Sequence, residues 1–268
     1  MPSILIKDGY LLDPILSFEQ RDILIQDDLI NQVAPNIDFR ADRIIDASDK
    51  VIMPGLISAH THTFNTPLRG LTENLPLHPW LLSINSAYAV LPKSPRDLYL
   101  WNAIGACGLL RSGTTSLMEN GRGYQGYLPG IDYETDLDTT AKAFTDVGIR
   151  ATICPMYADL RPSESLPLHL LNDIRSEDIV SMDTFPPPKT DDLIHMLHSL
   201  LMRWQKCRDS LVSLCLGPIQ PYMCSRRLLE ETVELASEFD VAIHTHLLES
   251  KPEVLLSTKM FSQPVIEF

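Results

Sequence analysis

The chain has 268 residues, of which 44% are hydrophobic, and a formal net charge of −13 at pH 7. A surface this acidic repels phosphate backbones and anionic headgroups, so we expect no nucleic-acid partner and no membrane partner. The N-terminus has no basic region followed by an apolar one, and the five cysteines form no C-x-x-C pair. Both features favour a cytoplasmic location.

Residues 1–53 predict a small β-module. Its predicted strands are short apolar segments separated by Asp-Gly, Asp-Pro, Asp-Asp and Ala-Ser-Asp turn signals: Ile4–Ile6, Tyr10–Leu12, Ile23–Ile25 and Ile44–Ile45. A module this short has little core of its own. We therefore expect residues 1–53 to be part of a composite β-sandwich, followed by a second domain at 54–268.

From Val51 onward, predicted strands alternate with predicted helices. The strands are Val51–Ala59, Thr114–Met118, Ile149–Cys154, Leu211–Leu216 and Val241–His246. The helices are Asp97–Leu110, Thr135–Val147, Thr190–Lys206 and Ser225–Phe239, and a long polar loop with prolines is expected before the first of them. This alternation indicates an α/β fold with a parallel sheet. Since a (β/α)8 barrel uses about 250 residues for eight units, we expect an incomplete barrel with about five of eight strands.

Histidines lie at the ends of the first and fifth predicted strands. His60 and His62 are two residues apart, so on a strand they point to the same side. His246 ends the fifth strand, and Glu249 follows it. Three imidazoles with a carboxylate nearby are typical of a catalytic zinc site. The alternative is that these are core histidines, and that is the role we favour for His244.

Several motifs occur in an order that matches one family. They are Ile45-Asp46, Val51-Ile52-Met53-Pro54-Gly55-Leu56-Ile57, His60-Thr61-His62-Thr63, Leu68-Arg69-Gly70, Leu75-Pro76-Leu77 with Trp80, Gly113-Thr114-Thr115, Gly148-Ile149-Arg150-Ala151, Gly217-Pro218 and His246-Leu247-Leu248-Glu249. With these motifs in this order, the chain resembles the amidohydrolase superfamily. It is most similar to the branch of cytosine- and guanine-type deaminases, adenosylhomocysteine deaminases and triazine hydrolases.

The resemblance implies a metal-dependent hydrolase that acts on carbon–nitrogen bonds other than peptide bonds. It implies that His60, His62 and His246 bind a metal ion and that Glu249 is the proton shuttle. The expected reaction is hydrolytic deamination, or dechlorination, of a small N-heterocyclic substrate by a metal-bound hydroxide. The fourth predicted strand has no lysine to bridge two metals, so we expect one divalent ion, zinc first and iron as the alternative.

Weaker candidates surround this set. Arg69, His78 and Trp80 lie in the long loop after the first strand and are candidates for the substrate pocket, with ordinary loop packing as the alternative. Glu119, at the end of the second strand, is a weaker candidate for the same region.

The family's remaining functional positions are a histidine after strand six and an aspartate after strand eight, and the chain ends before both. We therefore expect activity only with a complementing C-terminal chain or in a homo-oligomer. The alternatives are a non-catalytic remnant or binding subunit, and a cyclic-amide hydrolase.

Overall fold

The structure, a computed structural model, describes residues 2–13, 15–91, 94–124, 132–161, 187–204 and 211–267. The chain divides into two compact units, Met1–Gly55 and Leu56–Phe268. In the described part of the chain, no helix is both long enough and apolar enough to cross a membrane.

The first unit is a mixed five-stranded sheet. Its strands are β1 (Ser3–Leu12), β2 (Phe18–Gln26), β3 (Leu29–Ala34), β4 (Arg43–Asp46) and β5 (Val51–Ile52). The order is β3-β2-β1-β4, with β5 also pairing with β1. Strands β1, β2 and β3 are antiparallel neighbours, while β4 and β5 run parallel to β1. Buried Leu5, Leu24 and Ile37 form the small core of this unit.

Strand β1 corrects one prediction. The segments Ile4–Ile6 and Tyr10–Leu12 are not separate strands, because β1 continues through Asp8-Gly9 with a register shift. Asp8 takes the left-handed conformation with φ of 61°. A Cβ on Gly9 would lie 2.3 Å from Cδ1 of Ile52. The Asp-Gly pair therefore marks a bulge and a close approach, not a chain reversal.

The second unit is a parallel sheet with helices between its strands. Its strands are β6 (Leu56–Thr61), β7 (Thr114–Tyr124), β8 (Arg150–Tyr157), β9 (Val212–Leu214) and β10 (Gly217–Pro218). The order is β10-β8-β7-β6, with β9 also pairing with β8, and every one of these pairs is parallel. The predicted parallel α/β architecture is confirmed, while the barrel stays a prediction.

The helices of this unit are α1 (Leu77–Val90), α2 (Pro95–Arg111), α3 (Tyr133–Val147), α4 (Thr190–Trp204), α5 (Arg226–Phe239) and α6 (Lys251–Phe261). Helices α2 to α5 confirm the four predicted helices. Helix α2 begins with a capping box between Ser94 and Asp97. Helix α3 ends at Gly148, whose φ of 81° suits glycine. The main core of the unit centres on fully buried side chains such as Phe144, Ile153 and Tyr157.

The predicted long loop contains helices. A 3-10 helix at Thr63–Leu68 and helix α1 occupy much of the predicted long loop. The prolines in this segment wrongly indicated that no helix forms there. Pro76 is the N-cap of α1 and Pro79 lies in its first turn, where a helix needs no backbone N–H. Helix α6 was also not expected.

The predicted fifth strand, Val241–His246, is not a regular strand. Its one bridge joins Ile243 to Leu216. The segment is nevertheless held along the sheet, because the N–H of His244 donates to the carbonyl of Leu216 at 2.8 Å. The N–H of His246 donates to the carbonyl of Ile219 at 3.1 Å. The histidines of this segment are therefore fixed by parallel-type backbone hydrogen bonds without a continuous ladder.

Candidate metal centre

Three histidine side chains converge at the end of the parallel sheet. His60 lies in β6, His62 follows it directly, and His246 comes from the segment beside β10. Nε2 of His62 lies 3.2 Å from Nε2 of His60 and 3.3 Å from Nε2 of His246. One ring nitrogen from each of the three lies within 4.8 Å of the others. The two distant parts of the sequence therefore meet at one point.

The hydrogen-bond partners of the Nδ1 atoms determine which ring nitrogens face the centre of the cluster. Nδ1 of His62 lies 2.8 Å from the carbonyl oxygen of Asn120, and Nδ1 of His246 lies 2.9 Å from that of Ile219. A carbonyl only accepts, so both Nδ1 atoms carry the proton and both Nε2 atoms present a lone pair. Nδ1 of His60 lies 2.9 Å from Nε2 of His244. This is the pattern of metal-binding histidines whose second nitrogen is held by the protein.

The spacing suits a tetrahedral ion. Two nitrogens bound to one zinc ion at about 2.0–2.1 Å lie roughly 3.3–3.4 Å apart in tetrahedral geometry. The observed Nε2 separations of 3.2 and 3.3 Å are close to that value. Three imidazoles leave the fourth position open, as catalytic sites do. The residues present therefore fit one divalent ion.

Asn120 also reaches this point with its side chain. Its Nδ2 lies 2.9 Å from Nε2 of His246, so the amide donates to the lone pair that an ion would use. Its Oδ1 is buried and has no hydrogen-bond partner among the described residues. Binding of an ion therefore requires this amide to turn.

Burial keeps the imidazoles of His60, His62 and His244 neutral. It lowers the pKa of His62 to about 4, and it also lowers the pKa of His60 and of His244. Neighbouring imidazoles add to the lowering at all three residues. These rings are uncharged at neutral pH, as metal binding requires.

Glu249 lies beside the cluster and is held from two sides. Its charge raises the pKa of His60, against the larger effect of burial. Nε2 of Gln220 donates to its Oε2 at 2.8 Å. The buried carboxylate of Glu253 accepts the backbone N–H groups of Leu248, at 2.8 Å, and of Glu249, at 2.6 Å. The exposed carboxylate of Glu249 is thus presented by an anchored loop.

Glu119 lies beneath the cluster and not on its open side. Its side chain is fully buried. Both carboxylate oxygens accept the backbone N–H of Thr63, at 2.9 and 3.0 Å. Burial raises its pKa to about 8, although the hydrogen bonds from Thr63 lower it. A role for Glu119 in substrate binding stays a prediction.

The other weak candidates lie around the first βα connection. Arg69 is exposed, with a guanidinium nitrogen near Gly108 of α2. Trp80 packs against the cluster of Phe64 and Leu68, as the packing alternative expects. The side chain of His78 lies outside the described part of the structure. For these three residues, substrate binding stays a prediction.

Sequence reasoning missed Asn120, Gln220 and Glu253. A signal for Glu253 was available, because Ser250-x-x-Glu253 is a capping-box pattern that predicts the start of α6. Asn120 acts partly through its backbone carbonyl, and any residue offers one. Gln220 acts through a contact across 29 residues of sequence. Neither of the last two has a local signature.

Relatives of known sequence match almost the whole chain. A 5-methylthioadenosine/S-adenosylhomocysteine deaminase from Thermococcus kodakarensis is 30% identical over 267 residues, covering 98% of this chain and 54% of that protein. The chain spans about half the length of the curated relatives it matches.

Solved structures share the fold. A triazine hydrolase from Arthrobacter aurescens superposes with a TM-score of 0.82 at 22% identity, covering 100% of this chain and 57% of that one. An adenosine deaminase from Xanthomonas campestris with bound zinc gives a TM-score of 0.73 at 23% identity, covering 99% and 54%.

The sequence profile of the amidohydrolase family matches residues 51–264. That range contains the whole parallel sheet and all three clustered histidines. The chain belongs to the amidohydrolase family.

Proposed function

We propose that His60, His62 and His246 bind one divalent metal ion, with zinc preferred. The convergence of three ring nitrogens within 4.8 Å, with Nε2 of His62 lying 3.2 and 3.3 Å from Nε2 of His60 and His246, carries this proposal. Their second nitrogens have partners that hold the rings in place. Zinc in the related fold of the Xanthomonas campestris adenosine deaminase supports the preference over iron.

We propose that the reaction is hydrolytic deamination of an amino-substituted N-heterocycle of the adenine type. The 30% identical relative is named for deamination of adenine nucleosides, whereas the triazine hydrolase offers only a shared fold. Water replaces the amino group: a carbon–oxygen bond forms, the carbon–nitrogen bond breaks, and ammonia leaves. Dechlorination of a triazine-type ring is the second candidate, favoured only by the structural likeness.

A divalent ion bound by His60, His62 and His246 would supply Lewis acidity, which lowers the pKa of water. In this proposal Glu249 accepts a proton at its carboxylate and returns it to the ring nitrogen or the leaving amine. Gln220 holds Oε2 of that carboxylate at 2.8 Å and leaves the other oxygen for the substrate. The chain spans about half the length of its relatives, so the residues that choose the substrate are proposed to lie partly outside these 268 residues.

The first test is the metal content of the purified chain by elemental mass spectrometry. We expect about one zinc per chain, lost in the double variant His60→Ala/His62→Ala and kept in His195→Ala, a histidine on α4 away from the cluster. Equal metal in all three proteins would refute the assignment of these histidines.

The second test is ammonia release from adenosine derivatives, with the metal-loaded protein and any partner that copurifies. If the protein deaminates them, Glu249→Gln should lower the rate by about 10²–10⁴ and leave the metal content unchanged. A Glu249→Gln protein as active as the wild type would remove Glu249 from the reaction.

A further inference from the structure

The backbone that follows His62 is held by buried groups from two elements, β7 and α2. Thr63 is the first residue of the 3-10 helix, and its side chain is buried. From β7, Glu119 accepts its N–H with both carboxylate oxygens, at 2.9 and 3.0 Å. The N–H of Phe64 also lowers the pKa of this carboxylate. The carboxylate thus holds the peptide group directly after the candidate metal-binding histidine.

A second contact ties Thr63 to the helices. Its hydroxyl donates to Oδ1 of Asn102 on α2 at 2.7 Å. The amide of Asn102 in turn donates to the hydroxyl of Thr140 on α3 at 3.0 Å. Asn102 is 1% exposed and Glu119 is fully buried. Buried polar groups linked in this way resist displacement, because breaking one bond leaves its partner unsatisfied.

The close approach of α2 to Thr63 leaves no room for a side chain at position 105. A Cβ on Gly105 would lie 2.8 Å from Cβ of Thr63 and 2.9 Å from Oγ1 of Thr66. Three residues later on the same helix, a Cβ on Gly108 would meet only a guanidinium nitrogen of Arg69 at 3.7 Å. The packing at Gly105 is therefore specific to the segment after His62.

Strand β7 also holds the ring of His62 itself. The carbonyl of Asn120, the residue after Glu119, accepts from Nδ1 of His62 at 2.8 Å. Two consecutive residues of β7 thus fix the ring of His62 and the backbone beyond it. A displacement of Nε2 by about 1 Å would weaken metal binding, because it is half the length of a metal–nitrogen bond of about 2.0–2.1 Å.

We propose that Glu119, acting through Thr63 and supported by Asn102 and the close packing at Gly105, is a positioning residue that places Nε2 of His62 for metal binding. This rests on the proposed metal centre. In this proposal Glu119 positions His62 and does not contact the substrate.

The experiment is titration of the metal-free chain with Co²⁺, whose visible absorption reports both affinity and coordination geometry. Gly105→Ala and Gly108→Ala form a matched pair, since both put the same methyl group on the same helix. We expect Gly105→Ala to bind Co²⁺ about 10–100-fold more weakly than Gly108→Ala, with an altered spectrum. Both apo proteins should show the far-UV circular dichroism of the folded wild type at the titration temperature, so that weaker binding by Gly105→Ala reports positioning and not unfolding.

Substitutions at Glu119 give an independent readout. Glu119→Leu removes both acceptors and should weaken Co²⁺ binding by a similar factor. Glu119→Gln keeps one acceptor oxygen and should recover most of the affinity and the wild-type spectrum. Should Glu119→Leu fail to fold, the glycine pair and Glu119→Gln decide the question.

Equal Co²⁺ affinity in Gly105→Ala and Gly108→Ala, with unchanged spectra, would overturn the positioning role. The variant His62→Ala separates this from a failure of the metal centre. If His62→Ala abolishes binding while Gly105→Ala does not weaken it, only the positioning role is wrong. If the wild type binds Co²⁺ no better than His62→Ala, the metal centre is wrong and the positioning role falls with it.

Discussion

Burial moves the pKa values of Glu119 and His62 in opposite directions, although the two residues serve one site. The pKa of Glu119 rises from 4.5 to about 8, so between these values the folded carboxyl keeps a proton that the unfolded chain has lost. The pKa of His62 falls from 6.5 to about 4, so between these values the unfolded chain holds the extra proton. Rising pH therefore lowers the free energy of unfolding through Glu119 and raises it through His62.

The substitution Glu119→Gln isolates the first effect, because the contribution of His62 cancels between the two proteins. We expect Glu119→Gln to gain stability relative to the wild type between about pH 5 and about pH 8, by at most about 1.4 kcal/mol per pH unit. Urea unfolding in the presence of a chelator measures the difference. Glu230→Gln, at an exposed carboxylate of α5, is the control and should show no such trend. A constant difference between wild type and Glu119→Gln at both pH values would contradict the assignment.

At the scale of the element, one side chain accepts two backbone hydrogen bonds from the loop between His246 and helix α6. Glu253 caps two backbone N–H groups of this loop, at Leu248 and Glu249, while Ser250 caps the helix itself. Leu248 has a φ of 57°, an uncommon value for leucine that the Glu253 contacts hold in place. The capping-box pattern can be recognised from local sequence. The additional hydrogen bonds from Leu248 and Glu249 to Glu253 are seen only in the folded chain.

We predict that Glu253→Ala lowers the free energy of unfolding by about 1–3 kcal/mol, because two N–H groups lose their acceptor. Ser250→Ala, which removes only the helix cap, should cost about 1 kcal/mol. The rates of amide hydrogen exchange at Leu248 and Glu249 should rise in Glu253→Ala, and they should rise much less in Ser250→Ala. The same exchange rates in both variants would show that Glu253 does not anchor the loop.

At the scale of the whole molecule, strand β6 leaves apolar surface at one edge of the described sheet. Leu56 is 49% exposed and Ile57 is 77% exposed. An unpaired apolar edge favours association with another chain. This is consistent with the expected homo-oligomer or complementing chain, which stays a prediction.

We predict that the isolated chain self-associates at micromolar concentration and that Ile57→Lys shifts it toward monomer. Val233→Lys, at a position of α5 that is 59% exposed, is the matched control and should leave association unchanged. Sedimentation velocity measures the distribution. A wild-type chain that sediments as a monomer throughout would exclude association through this edge.

The sequence by itself determined those features that depend on local period and spacing. Two histidines two residues apart at a strand end, helices with apolar faces and capped ends, and strands that alternate with helices were all readable, because neighbouring residues alone set them. The expected long loop before α2 was wrong for the same local reason, since prolines in a first helical turn carry the same signal as prolines in a loop.

The tertiary structure alone decided what the histidines face. The carbonyls that accept from Nδ1 of His62 and His246 lie 58 and 27 positions away in sequence. The Nε2 atoms of these two rings lie 3.3 Å apart, although the residues are 184 positions apart. The burial of Glu119 and its hold on Thr63 likewise need β6 and β7 to pair. Local sequence specifies which groups are present, whereas their distances, exposure and pKa values are set by packing between segments that are remote along the chain.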